Sequence, residues 1–282
     1  MKKTLIALAV AASAAASGMA HAWTSGDFYD SLDIGGRITV DDYRQKWSWA
    51  VGSDINGFEH ASTDMTENGT KLTITVTDDK PLLIGKTNES SYVPRVDGIG
   101  GVPLISFFGY DGVSVELSIP AGATDGQAYL NLPMKDVNGN KIGSVKVNAS
   151  YAAAYASAST SSLYSLVAAA DRNQLFFGGL PLSSSGGLKD AYAVAERTAR
   201  FGSLSKDEML AQIQVLRPDV KYLTNKTGGY TMNFPDAGSS DVFSAAYALG
   251  IVSGQTIEAT FDESVTTTTE WSAPLSIAVT YN

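Results

Sequence analysis

Apolar side chains alternate with small or polar ones in short runs along much of this chain. The runs Leu72-Thr73-Ile74-Thr75-Val76-Thr77, Val113 to Ile119, Val145 to Tyr151 and Thr256 to Phe261 each have one apolar and one wettable face. That two-residue period is the signature of a half-buried strand. Asn-Gly steps at Asn56-Gly57, Asn68-Gly69 and Asn138-Gly139 lie close to such runs, and this dipeptide accepts the positive φ that tight hairpins need. Many short strands separated by turn residues predict an antiparallel sandwich. The last eight residues, Leu275 to Asn282, continue the pattern, with Leu275, Ile277, Val279 and Tyr281 on one face. No strand follows this one in the sequence, so its apolar face is expected to need cover from elsewhere.

The alternation fades between about residues 155 and 240. Runs of Ala, Ser and helix-compatible residues take over, and the stretch reads as a small, partly helical insertion in the sandwich. Its clearest helix is Ser205 to Arg217, where Ser205 and Glu208 have capping-box spacing, Met209, Leu210, Ile213 and Leu216 form one stripe, and Pro218 ends the element. Ser162 to Asp171 and Lys189 to Phe201 are weaker helix candidates. Arg197 and Arg200, near the end of the second, read as a solvated face where cations suit the helix dipole.

The start of the chain has a different logic. Met1-Lys2-Lys3, the apolar stretch Leu5 to Ala16 and the small-x-small step Ala20-His21-Ala22 have the form of a secretory signal peptide cleaved after Ala22. That apolar stretch is shorter than the roughly 18 to 20 residues of a membrane span. The mature chain from Trp23 is therefore expected to be exported. Its formal charge is −9 even before Lys2 and Lys3 are lost, and an acidic chain without a basic stripe argues against nucleic acid as a partner. There is no cysteine, so packing rather than disulfides must hold the fold, which a chain of this size can manage.

Chemistry-bearing constellations are sparse. His60 is the single histidine after Ala22, so zinc clusters and His- or Cys-based nucleophiles lack their parts. Asp136 to Asn140 begins like a calcium loop, but Lys141 and Val147 stand where Gly and a bidentate acid belong; it reads as a hairpin turn. Gly98-Ile99-Gly100-Gly101 lacks the strand-to-helix setting of a nucleotide loop. The acidic pairs Asp41-Asp42, Asp78-Asp79 and Asp262-Glu263 sit at strand ends, where solvated turns are expected rather than glycosidase carboxylates. No enzyme activity, metal or cofactor is expected.

Between Trp23 and Val40 the apolar residues Phe28, Leu32, Ile34, Ile38 and Val40 fall at even positions, with polar residues between them and Gly35-Gly36 in the middle. On pattern alone this is either the first strand of its own domain or a strand lent to an open sheet edge of another copy.

Several long stretches carry a family resemblance: the signal peptide, Asp33 to Gly36, Asp41 to Trp47, Lys71 to Thr77, Leu132-Pro133-Met134-Lys135, Gly143 to Ala152, Phe201 to Ser205, Ser244 to Ile251 and Trp271 to Leu275. In these the chain resembles the FaeG-type major fimbrial subunits of enteric bacteria, which assemble by the chaperone-usher pathway, over nearly its whole length. The resemblance implies an immunoglobulin-like sandwich lacking its last strand, held first by a periplasmic chaperone, handed to an outer-membrane usher and completed by a donor strand from the next subunit. The product is a fimbrium on the bacterial cell surface. In this picture residues 23–40 are the donor extension, with Phe28, Leu32, Ile34 and Ile38 as its plug, and residues 41–282 are the incomplete domain. Leu275, Ile277, Val279 and Tyr281 then border the acceptor groove and form the edge read by the chaperone.

The resemblance also points to adhesion to host glycoconjugates through the insertion. Sugar recognition needs an aromatic face and a few charged or amide groups. Tyr164, Asp171, Arg172 and Phe176, with Asn173 and Phe177, supply both. The competing role for the aromatics is packing of the insertion on the sheet. Competing roles for the whole chain are a structural or capsule-like pilin without a receptor site, and a self-contained secreted lectin. An outer-membrane barrel is disfavoured because strands such as Lys146-Val147-Asn148 lack a lipid-facing apolar band.

Overall fold

The computed structural model describes residues 36–37, 42–53 and 55–282. The signal peptide and the donor residues Phe28, Leu32, Ile34 and Ile38 lie outside these. The chain divides into units Met1–Thr39 and Val40–Asn282, and the second carries the strands and helices of the sandwich.

In chain order the strands are β1 (Trp47–Val51), β2 (Lys71–Thr75), β3 (Lys80–Thr87), β4 (Ser91–Tyr92), β5 (Pro103–Phe108), β6 (Ser114–Val115), β7 (Gln127–Lys135), β8 (Lys141–Ser157), β9 (Ser162–Ser165), β10 (Thr224–Asn225), β11 (Val242–Ile251), β12 (Thr256–Phe261) and β13 (Ser276–Tyr281). Helices α1 (Ala191–Arg200) and α2 (Lys206–Leu216) fall between β9 and β10. The large sheet has the order β1-β3-β11-β8-β12-β2, with β7 and β9 also pairing with β8, β4 with β11 and β10 with β9. A small sheet has the order β13-β5-β6. Pairing is antiparallel throughout except between β9 and β10. The protein is a mainly β, immunoglobulin-like sandwich with a small helical insertion, and the sheets do not close into a barrel.

The 17-residue strand β8 organises the large sheet. Its first half pairs with β7 and β12, its second half with β11 and β9. Burial alternates in the first half, as a strand with one wet face requires, and becomes continuous from Ala149 to Ser157. The reason is that helices cover the second face. Tyr151, Ala153 and Tyr155 point into the main core with Phe243, Tyr247 and Leu249 of β11. Ala152, Ala154 and Ala156 point the other way, against Ala191, Val194 and Ala195 of α1 and Met209 and Ile213 of α2. A row of alanines leaves room for a helix to close on the sheet.

Polar clamps fix the helices. Asp190 caps α1 by accepting from the Ala193 N–H at 3.0 Å and is itself held by Asn225 Nδ2 of β10 at 3.0 Å. Ser205 and Glu208 cap α2 reciprocally, with the Glu208 carboxylate accepting from the Ser205 N–H at 2.8 Å. Gln212 ties α2 to the sheet: its Nε2 donates to the Thr87 carbonyl at 2.8 Å and its Oε1 accepts from the Ser244 hydroxyl at 2.7 Å.

Most sequence-based elements are present, with four differences. Ser162 to Asp171 is not helical. Its first residues form β9, because they pair with β8 and β10, while the Ser162 hydroxyl bonds the nearby Thr160 carbonyl, a local bond that competes with a helix. The run Val113 to Ile119 gives only the two-residue β6 and a bridge between Ser118 and Tyr129. Asn56-Gly57 sits in a loop rather than closing a hairpin. Arg197 is not on a solvated face: its side chain is 13% exposed and pairs with Asp125 at 2.9 Å, while Arg200 pairs with Asp79 at 2.6 Å. Asp136-Val137-Asn138-Gly139-Asn140 is the β7–β8 hairpin turn, with Asp136 Oδ1 accepting from the Asn138 and Asn140 N–H groups and Gly139 at φ +87°.

The capping box makes a pH-dependent prediction. Hydrogen bonds from Ser205 hold the Glu208 carboxyl below its usual range, so its contribution exists at neutral pH and is lost as pH falls through the folded value. Ser205→Ala is expected to cost about 1 kcal/mol in urea unfolding at pH 7. Glu208→Gln is expected to destabilise at pH 7, and its gap from the parent should narrow as pH falls through the lowered Glu208 value, because the protonated acid resembles the amide.

Candidate functional site

The C-terminal strand β13 is an end strand of the small sheet. β13 pairs with β5 through six residues, from Ser276 opposite Phe108 to Tyr281 opposite Pro103. Along its other edge it has no strand partner among the described residues. Its burial alternates strictly: Ser276, Ala278 and Thr280 are exposed, while Ile277, Val279 and Tyr281 are half-buried against the main core. This is the face that the two-residue period assigns to Leu275, Ile277, Val279 and Tyr281, but it is only partly covered.

Beside the Leu275 end lies a cleft of about 550 Å³. Leu132, Val145, Val147, Ile257 and Leu82, all core residues of the large sheet, line it from one side. Ile55 to Phe58 and the segment Thr269 to Leu275, including Trp271, complete its lining. The lining is dominated by aliphatic and aromatic side chains and carries one acid, Glu270. No group of His, Cys, Asp or Glu suited to a metal occurs among the described residues. The cleft can therefore take apolar side chains, and the neighbouring free edge of β13 can take backbone hydrogen bonds. Together these are the two requirements of an added strand.

At the opposite end of β13, Trp49 Nε1 of β1 donates to the Tyr281 hydroxyl at 3.0 Å. Burial raises the Tyr281 phenol above its ordinary pKa, and the bond from Trp49 acts against that shift. The last residue is also held: Asn282 exchanges backbone bonds with Val102, and its side-chain amide donates to Asn173 Oδ1 at 3.0 Å. Sequence reasoning missed Trp49, Phe58 and Trp271. The alternation Trp47-Ser48-Trp49 was the available signal for the first.

The four residues expected at a receptor site do not form one cluster. Tyr164, on β9, is half-buried, packs edge-on against Tyr230 at 4.9 Å and donates from its hydroxyl to Thr160 Oγ1 at 3.1 Å. Asp171 and Arg172 are exposed in a turn where Asp171 Oδ1 accepts from the Asn173 N–H at 2.8 Å. The turn reaches Tyr164 only at second hand among these contacts: the Phe234 N–H donates to the Asn173 carbonyl, and Tyr155 packs on both Phe234 and Tyr164. Phe176 is a correction: it is 0% exposed and lies 5.6 Å from Trp47 and 5.2 Å from Tyr247, ring to ring. A ligand on the surface does not reach it. The turn carrying Asp171 adjoins the C-terminal strand rather than the helices, because Asn173 binds Asn282 and the Phe177 carbonyl accepts from the Ile105 N–H of β5.

Residues 1–282 match the family of fimbrial major and minor subunits of the K88 type. The chain is 54% identical to the K88 fimbrial protein AD of Escherichia coli and 53% identical to the K88 fimbrial protein AC, with both partners covered completely in each case. It is 30% identical to the F41 fimbrial protein of Escherichia coli, again over the full length of both. The chain belongs to the K88 fimbrial family. It is a subunit of a surface fimbria, a structural protein that associates with further subunits in a fibre rather than an enzyme.

The placement of Phe176 and Arg172 separates packing from surface roles. Phe176→Ala is expected to cost about 3 to 5 kcal/mol of stability, whereas Arg172→Ala should stay within about 0.5 kcal/mol of the parent. Denaturant unfolding of the two variants checks both.

Proposed function

We propose that this K88-family subunit polymerises by donor-strand complementation and that the fibre it builds adheres to host glycoconjugates. The N-terminal segment of one copy, Trp23 to about Ile38, adds as a strand along the free edge of β13 in the next. Phe28, Leu32, Ile34 and Ile38 then enter the groove bordered by Leu275, Ile277, Val279 and Tyr281 and its cleft. The observation that carries this reading is the half-covered apolar row of β13 beside an apolar cleft, on a strand with one unpaired edge among the described residues.

Magnitudes favour it. Four apolar side chains taken out of water give about 1.5 to 3 kcal/mol each, or about 6 to 12 kcal/mol in all, comparable to the roughly 5 to 15 kcal/mol that holds a whole domain. A subunit without a donor exposes both the cleft and the edge, a combination that invites aggregation. A periplasmic chaperone that covers the edge, and an outer-membrane usher that exchanges it for the next subunit's extension, answer that hazard. For the receptor, the exposed Asp171 and Arg172 and the half-exposed Tyr164 remain the candidate contacts in the insertion; Phe176 does not.

Moving residues 23–40 behind a short linker to the C-terminus tests the assembly reading. The product is expected to be a monomer whose melting temperature exceeds that of the donor-free chain by more than about 12 °C; equal melting temperatures would refute the donated strand. Glycan-array binding by assembled fibres, with Tyr164→Ala and Arg172→Ala, tests adhesion. Loss of binding in fibres that still assemble supports a receptor site there, and no binding by the parent to any host glycan favours a purely structural pilin.

A further inference from the structure

The bond between Trp49 and Tyr281 joins residues 232 positions apart in sequence. β1 and β13 are end strands of the two sheets, and no ladder pairing joins them among the described residues. The indole that makes the bond is tightly held. Its six-membered ring lies where a Cβ on Gly85 of β3 would stand, with 2.3 Å to the nearest ring atom, so only glycine fits beneath it. Trp47 stacks at 6.2 Å, Tyr247 lies at 5.9 Å and Phe176 meets the ring edge-on at 6.3 Å. Tyr281 is the last residue of β13 and stands opposite Pro103 of β5; just beyond it Asn282 exchanges backbone bonds with Val102, and the indole adds the side-chain tie to β1.

The position of this bond is informative. It stands at the Tyr281 end of β13, whereas the cleft lies at the Leu275 end. Six residues of extended chain, roughly 20 Å, separate the two. The bond thus ties β1 to β13 at the Tyr281 end, while just before the Leu275 end Ser272 exchanges backbone bonds with Lys135 of β7.

We propose that Trp49 is a positioning residue for assembly: by holding Tyr281 it sets the separation between β1 and β13, and so keeps the groove as wide as a single added strand. The inference rests on the donated-strand reading above. Neither residue needs to touch the plug. The indole acts through the tyrosine, and the tyrosine fixes the edge on which the strand is built.

Subunit release from purified fibres in hot detergent, followed for the parent, Trp49→Phe, Tyr281→Phe and the double variant, tests this. Each single substitution removes one partner of the bond and keeps a ring. Each is expected to speed release about three- to tenfold, and the double variant should release no faster than the faster single, because both remove the same interaction. Parental release from both singles, or a double variant whose effect is the product of the two, overturns the role. Fibres lost in Tyr281→Phe but normal in Trp49→Phe overturn it as well. If Trp49→Phe does not assemble, Tyr281→Phe decides alone: faster release or lost assembly supports the role, and parental release refutes it. Ile34→Asp separates this inference from the one beneath it. Should Ile34→Asp fibres form and release like the parent, the donated strand itself is lost; should they fail to form while both singles match the parent, only the role of Trp49 falls.

Discussion

The structure depends on how strand β13 is paired and covered. β13 satisfies its backbone on the side of β5 and leaves the other edge without a strand among the described residues. Its inward side chains reach a core that does not close over them. Elsewhere β8 and β11 are buried on both faces where helices cover them, and side chains cap the N-termini of α1 and α2. A cleft of about 550 Å³ lies between Val145, Val147, Ile257 and Leu275, next to this open edge. Apolar cavities and open edges each destabilise an isolated domain. Their placement side by side is what the proposed donor strand rests on.

The insertion follows from the opposite excess. Strand β8 continues past its pairing with β7 and β12, and this extension would present alanine and tyrosine to water on both faces. The alanine face is taken by α1 and α2, the tyrosine face by the aromatic cluster around Phe243 and Tyr247. Because helices need close approach, the contact face is made of Ala152, Ala154, Ala156 and Ala246, and fixing falls to polar groups such as Gln212 and Asp190. The insertion is thus anchored to the strands that also carry the core.

Much of this was legible in the sequence. Strand β13, the β7–β8 turn and the capping box of α2 depend on local rules, namely side-chain alternation, positive φ at Gly139 and reciprocal Ser205–Glu208 bonds, and local rules can be read residue by residue. The errors arose where a distant partner decides. Ser162 to Asp171 has helical composition, yet pairing with β8 and β10 claims its first turn. Arg197 has the position of a solvated helix-end cation, yet Asp125, 72 residues earlier, folds over it. Phe176 has the neighbours of a ligand-facing aromatic in sequence, Arg172 and Asn173, but at φ +66° the chain turns it inward onto Trp47 and Tyr247. No alternation rule reaches these outcomes, since each depends on a segment distant in sequence.

Assembly and recognition are not as separate here as a sandwich with an insertion suggests. The turn that carries Asp171 and Arg172 is a surface feature, but its Asn173 is bound to the final residue of the chain, and Phe177, shortly after it, shares a hydrogen bond with the strand beside β13. Phe176 packs against Trp47 and Trp49, and Trp49 holds Tyr281. A side chain at position 171 or 172 is therefore only a few contacts from the C-terminal strand. Tyr164 is tied to Thr160 and Tyr230, on the side of the insertion formed by β9 and β10, and its ring also packs on Tyr155, which stacks on Phe243 beside Trp47. Changes at either place therefore reach the aromatic core that holds Trp49, through Phe176 from the 171–177 turn and through Tyr155, Phe243 and Trp47 from Tyr164.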